Sequence, residues 1–135
     1  MRYLLDTNIF IAAIKGRAAV QRRLEITPLA DLILSPVVYG ELALGVAKSR
    51  SAQKNAEHLS RVTAAIDMPA IDASVARHYA DIRALLEQRG EPIGGNDYWI
   101  AAQALALEAT LVTDNLREFS RIPDLLLENW LSDRE

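Results

Sequence analysis

The 135 residues include no cysteine, which excludes disulfides and thiolate metal sites and fits a reducing compartment. The formal net charge of −3 supplies no global basic footprint for nucleic acid, so a polyanionic substrate would have to be drawn in by local basic patches or metal ions. Half of the residues are hydrophobic, which argues against disorder, and there is neither a long uninterrupted apolar run nor a basic leader with an apolar stretch behind it. A soluble, cytoplasmic protein with one domain, residues 1–135, is expected.

The apolar run Tyr3-Leu4-Leu5 ends abruptly in Asp6. Two small polar residues follow, Thr7 and Asn8, and apolar residues resume at Ile9, Phe10, Ile11 and Ile14. This reads as a short buried strand running into a helix, with Asp6 at the strand's carboxyl end, where ligand sites form in open α/β sheets. Gly16 breaks that helix, and residues 17–26 suggest a second one with a basic face of Arg17, Arg22 and Arg23. Leu32-Ile33-Leu34 reads as a second strand. Ser35 and Pro36 then supply an N-cap and a first helical position for a helix reaching about Lys48. After a turn at residues 49–51, another helix is expected from Ala52 to about Ile66, and Pro69-Ala70-Ile71 as a third, very short strand. Asp72 caps a helix with Val75, Tyr79, Ile82 and Leu86 at core spacing, ended by Arg89-Gly90. A loop from Glu91 to Gly95 leads into an alanine-rich helix from Asn96 to about Glu108. Strand Thr110–Thr113 then runs into a second strand-end carboxylate, Asp114. Asn115 to Phe119 reads as a helical turn and Leu125–Leu127 as a last strand. Short strands alternating with helices imply an α/β fold with a mostly parallel sheet.

Four acids do not fit an ordinary solvated helix face. Asp6 and Asp114 terminate apolar strands, Glu41 lies in mid-helix on the apolar stripe with Val37, Val38, Leu44 and Gly45, and Asp97 opens the alanine-rich helix. Taken singly, Asp6 and Asp114 could be helix caps and Asp97 a first-turn acid against the helix dipole, but capping does not account for Glu41. Together they are better explained by one shared pocket, and converging carboxylates need a cation to offset their repulsion. Oxygen ligands without histidine or cysteine point to Mg²⁺ or Mn²⁺. His58 and His78 read as surface residues, and Gly94-Gly95 is too short for a phosphate loop. Thr7 and Thr113, each beside a site Asp, read equally well as groups positioning a water or phosphate and as turn residues.

At these residues the chain resembles a known family. Leu4-Leu5-Asp6-Thr7-Asn8 is similar to the first motif of PIN-domain ribonucleases, and Val38-Tyr39-Gly40-Glu41-Leu42 to their second. Residues 93–102, Ile93 to Ala102 around Asp97, resemble the third motif, and residues 111–119, Leu111 to Phe119 around Asp114, the fourth. The order and spacing cover nearly the whole chain and match the VapC group, the toxins of bacterial type II toxin–antitoxin pairs. The fourth motif often carries Asn where this chain has Asp114. The resemblance implies a PIN-like three-layer α/β/α sandwich with a short, mostly parallel central sheet. It also implies a metal-dependent endoribonuclease that hydrolyses RNA phosphodiesters. Asp6 and Asp97 would hold the principal Mg²⁺ (or Mn²⁺), Glu41 would ligate it directly or through water, and Asp114 would hold a second ion or orient the attacking water. Thr7 and Asn8 would hydrogen-bond the Asp6 carboxylate or a phosphate oxygen, and Thr113 would support the site beside Asp114. Lys15, Arg17, Arg22 and Arg23 are candidates for steering the RNA backbone. The resemblance further implies a VapB-like antitoxin as partner, a homodimer, contact with promoter DNA only through the antitoxin, and no membrane. An exposed apolar groove between the first helices and the 36–66 pair would suit such a partner.

Rival readings are weaker. A haloacid dehalogenase-type phosphatase needs a second Asp where this chain has Asn8. A receiver-type domain wants a mid-chain phosphoacceptor Asp and a late Lys, which the strands at 32–34 and 69–71 do not clearly offer. The non-enzymatic alternative is an inactive PIN-like module that only binds RNA or protein, and retention of all four acids argues against it.

Overall fold

Strand β1 (Tyr3–Leu5) lies between two parallel neighbours, with Leu4 opposite Ile33 on one side and opposite Leu111 on the other. The computed structural model describes residues 1–132. In chain order, β1 is followed by α1 (Thr7–Ile14), α2 (Ala18–Glu25), a 3₁₀ turn at Leu29–Asp31, β2 (Leu32–Ile33), α3 (Pro36–Ala47), α4 (Ala52–Thr63), α5 (Ala73–Gln88), α6 (Gly95–Ala106), β3 (Thr110–Val112), α7 (Leu116–Phe119) and β4 (Leu127–Glu128). The sheet order is β2-β1-β3-β4, and every strand pair in it is parallel. This is the α/β/α arrangement expected from the alternation of strands and helices.

The order places the functional edge. From β1 the chain moves outward to β2, then crosses back over β1 to reach β3 and continues outward to β4. Right-handed crossovers running in opposite directions cover opposite faces of the sheet, which opens a crevice between the carboxyl ends of β1 and β3. Asp6 and Thr113 are the residues that follow those two strands.

Local chemistry sets the ends of the elements. Ser35 accepts from the Val37 N–H at 3.1 Å and Pro36 takes the first position of α3; Asp72 accepts from the Val75 N–H at 3.1 Å to cap α5. Gly16, at φ +74°, makes the left-handed turn that ends the first helical stretch. The core joins Leu4, Ile9, Ile33, Ile100 and Leu111 at zero exposure. Ala101, Ala102 and Ala104 bury the inner face of α6, where small side chains allow close packing of α5 along it.

Two strand expectations shift. Pro69–Ile71 forms no strand. Pairing with β2 occurs instead as a single parallel bridge between Ile33 and Asp67, with Leu34 N–H donating to Asp67 O at 2.9 Å. Pro69 has no N–H to continue a ladder, and its carbonyl accepts from Gln103 Nε2 at 3.0 Å. The last strand sits later than expected, at Leu127–Glu128, after a turn at Asp124 with φ +66°. Among the described residues, no helix is long and apolar enough to cross a membrane.

Candidate active site

Asp6 continues the ladder by one backbone bond, its N–H donating to Val112 O at 2.9 Å, and its carbonyl accepts from the Ile9 and Phe10 N–H groups of α1. Its side chain also caps, accepting from the Thr7 N–H at 2.8 Å, so the capping reading holds for one oxygen. The other oxygen accepts from the Thr113 hydroxyl at 2.8 Å, across from β3. Asp6 is 7% exposed, and Thr113 is fully buried. Burial pushes the Asp6 carboxyl above its ordinary range. The bonds from Thr113 and Thr7 pull the other way, and the charges of Glu41 and Asp114 add to the rise.

Asp97 sits in the first turn of α6, which packs near α3. Its carboxyl is pushed up to about 6, first by burial and then by the charges of Asp6, Glu41 and Glu118. Gly94, the residue before α6, comes close: a Cβ there would lie 3.3 Å from Asp97 Oδ2. Glu41 is half-buried in mid-α3, and each of its oxygens accepts from another helix. The Thr7 hydroxyl donates to Oε1, and the Asn96 amide donates to Oε2 at 3.2 Å.

Asp6, Glu41 and Asp97 therefore form one electrostatic unit drawn from β1, α3 and α6. Asp114 is tied to this unit through Asp6 alone. It is exposed, its contact with the Asn8 amide is long at 3.5 Å, and it acts on Asp6 but is not among the groups that shift Asp97. The acid that does reach Asp97 from this side is Glu118 on α7, held by the Asn115 amide at 3.2 Å. Glu118 was not singled out from the sequence, where an acid beside Arg117 in a short amphipathic turn looks like ordinary surface charge. Its place in the helical turn that follows Asp114 was the available signal.

The three supporting residues have distinct jobs. Thr113 donates to Asp6 and accepts from the Asn115 N–H at 3.0 Å, fixing the start of the β3–α7 turn. Thr7 offers its N–H to Asp6 and its hydroxyl to Glu41, whereas Asn8 reaches only toward Asp114. Arg23, expected as a steering cation, is engaged elsewhere. It pairs with Glu128 at 2.6 Å and lies over the Trp130 ring, so contacts with β4 and Trp130 take up its charge. His78 faces the Ser74 carbonyl on its own helix, and His58 is exposed.

A groove of about 400 Å³ opens beside Glu41 between α1, α3 and α4, with Ile11, Ile14, Leu42, Val46 and Leu59 in its lining and Lys15 at its rim. Helix α3 is apolar apart from Glu41 and Tyr39 yet buries only Val38 and Leu42, and Leu44 is 55% exposed. A helix of that composition normally has partners all round.

The donor set suits a divalent cation by its chemistry. It consists of oxygen atoms, and every charge that acts on Asp6 and Asp97 belongs to another carboxylate. Among the described residues, no three His, Asp or Glu side chains are gathered tightly enough to form a closed metal-ligand group. Mg²⁺ does not need such a group, because it keeps several of its own waters and commonly takes one or two carboxylates.

A family model described as PIN domain matches residues 3–125. The chain is 41% identical over 132 residues to "Ribonuclease VapC2" of Rickettsia felis, covering 96% of this chain and 98% of that protein. It is 35% identical over 131 residues to "tRNA(fMet)-specific endonuclease VapC" of Shigella flexneri, again covering 96% and 98%. Among solved structures, VapBC2 from Rickettsia felis bound to a DNA fragment from its promoter superposes with a TM-score of 0.89 at 40% identity, covering 96% of this chain and 99% of that one.

Proposed function

The chain belongs to the PIN-domain family and stands among the VapC ribonucleases, and from that premise we propose that it is a Mg²⁺-dependent endoribonuclease acting as the toxin of a toxin–antitoxin pair. The observation that supports this reading best is the Asp97 carboxyl, pushed up to about 6 first by burial and then by the charges of Asp6, Glu41 and Glu118. Such a pocket repels an RNA backbone unless a cation stands between them.

Asp6 and Asp97 would hold the principal ion, with Glu41 ligating it directly or through water; Mn²⁺ would accept the same oxygens. Asp114 and Glu118 flank this centre from the β3–α7 side and would hold a second ion or orient the attacking water. A divalent ion held there would supply a water of lowered pKa and offset charge developing on the phosphate. The chain's own residues do the rest. Thr113 and the Thr7 N–H hold both Asp6 oxygens in place, which favours the ionised form that a ligand must have. Lys15, exposed at the groove rim near Glu41, offers a cation to the incoming backbone. No histidine is required in these roles.

The reading includes a partner. A VapB-type antitoxin would lay an apolar tail in the groove beside Glu41, in a homodimeric assembly that meets promoter DNA through the antitoxin alone. The exposed apolar surface of α3 supports this, as does the similarity to a solved VapBC complex.

The test is cleavage of an RNA panel that includes initiator tRNA, because the Shigella relative is named for that substrate. The expected result is endonucleolytic cleavage with Mg²⁺, none with EDTA, none with Asp97→Asn, and suppression on co-purification with the neighbouring small gene product. Cleavage undiminished by EDTA contradicts the metal. Failure to cut any RNA with Mg²⁺ or Mn²⁺ contradicts the enzyme.

A further inference from the structure

The two donors that claim Glu41 are chain neighbours of the other two central acids. Thr7 follows Asp6, and Asn96 precedes Asp97. The Thr7 hydroxyl takes Glu41 Oε1 from the start of α1, and the Asn96 amide takes Oε2 at 3.2 Å from the start of α6. We propose that Asn96 is a positioning residue for the metal-dependent cleavage: it fixes the rotation of the Glu41 carboxylate and ties its place to that of Asp97. This role rests on the metal-nuclease reading given above.

The need for such a tie follows from the charges. Glu41 is among the groups whose charge raises Asp97, so the two carboxylates repel each other. Glu also has a long side chain with several rotatable bonds and would swing toward solvent if nothing held it. Thr7 alone holds one oxygen and leaves the carboxylate plane free to turn about that bond. Asn96 removes this freedom. Two bonds from opposite helices hold the carboxylate as a plane, so Glu41 arrives at the ion already oriented.

The bland account of Asn96 is a helix-start residue chosen for capping. The geometry goes against it. Gly94 occupies the cap position of α6, and the Asn96 amide donates across to α3, 55 residues away in the chain. The contact is exposed, so its effect belongs at the low end of what outer partners of metal ligands contribute, about tenfold.

The experiment measures Mg²⁺ binding to the metal-free full chain by calorimetry, without RNA, together with steady-state cleavage. The proteins are wild type, Asn96→Ala, Asn96→Gln, Glu41→Gln and the double variant Asn96→Ala/Glu41→Gln. Asn96→Ala should weaken Mg²⁺ binding and lower kcat by about tenfold, with the RNA KM nearly unchanged. Asn96→Gln, which keeps an amide donor, should recover part of the loss. In the Glu41→Gln background, removing Asn96 should cost little more, because the group it positions is already neutral. Equal Mg²⁺ binding and kcat for Asn96→Ala and an active wild type overturn the role of Asn96 alone. So does a loss that persists in full in the Glu41→Gln background. A wild type that neither binds Mg²⁺ nor cleaves RNA overturns the metal-nuclease reading itself, and this role with it.

Discussion

The Thr113 hydroxyl donates to Asp6 Oδ2 at 2.8 Å, joining the residues that follow β3 and β1 across 107 positions of chain. Both residues are buried, and the bond lies at the crevice where the two crossovers diverge. It lowers the cost of keeping a carboxylate there, which burial otherwise raises.

Thr113→Val keeps the shape but removes both the donor to Asp6 and the acceptor for the Asn115 N–H, the second a loss that does not depend on pH. One oxygen of a buried carboxylate is then unsatisfied, a loss of roughly 1–3 kcal/mol. The Asp6 carboxyl rises further, so the folded state holds its proton to higher pH. The destabilisation should therefore be greater near pH 8 than near pH 4, where more of the folded protein carries the Asp6 proton. Urea unfolding in EDTA at the two pH values measures it; an equal loss at both contradicts the coupling.

Asp97 gives the metal-free protein a pH dependence of known sign. Its folded pKa of about 6 lies above the ordinary 3.8, so between those values the folded state binds more protons than the unfolded one. Below the window the group contributes no penalty, and stability is lost as pH rises through it. The melting temperature in EDTA should carry this falling component between about pH 4 and pH 6, and Asp97→Asn should remove it. Identical wild-type and Asp97→Asn profiles across the window contradict the raised pKa.

Glu118→Gln tests the acid that reaches Asp97 from α7. Removing its charge should lower the Asp97 pKa, which amide or carbon NMR on the metal-free protein reads directly. Cleavage should fall by about tenfold if Glu118 helps hold an ion or its water. An unshifted Asp97 would make Glu118 a partner of Asn115 only.

Gly94→Ala places a Cβ 3.3 Å from Asp97 Oδ2. The backbone there is ordinary, at φ −63° and ψ 150°, so the helix should form as before. The displaced carboxylate should bind Mg²⁺ several-fold more weakly, about 0.5–1.5 kcal/mol if a strained rotamer is the cost. Unchanged Mg²⁺ binding by calorimetry contradicts a tight fit at this position.

The parts of the fold that could be read from the sequence were those set by local chemistry. Ser35-Pro36 starts α3 and Asp72 starts α5, and the run from Leu4 through Asp6 to Ile9 shows a buried strand turning into a helix. The Pro69 segment misled because Ile71 does pack on the core, while the missing N–H of Pro69 bars a ladder. Site chemistry was legible where an acid broke an apolar pattern, as at Asp6 and Glu41. Glu118 and Asn96 broke no pattern: each lies in an ordinary polar turn, and only the fold brings Glu118 to Asp97 and Asn96 to Glu41. The engagement of Arg23 was hidden for the same reason, since Glu128 is 105 residues away.

Whether Asp6, Glu41 and Asp97 share one cation site is decided by thermal melts of wild type, Glu41→Gln and Asp97→Asn in EDTA and in Mg²⁺ at constant ionic strength. Removing one charge from the repelling set should raise the melting temperature in EDTA. Mg²⁺ at about 100 times its dissociation constant should add roughly 2.7 kcal/mol to the wild type and clearly less to either variant. If both variants melt below the wild type in EDTA and Mg²⁺ shifts all three proteins equally, these residues are structural and the shared site is contradicted.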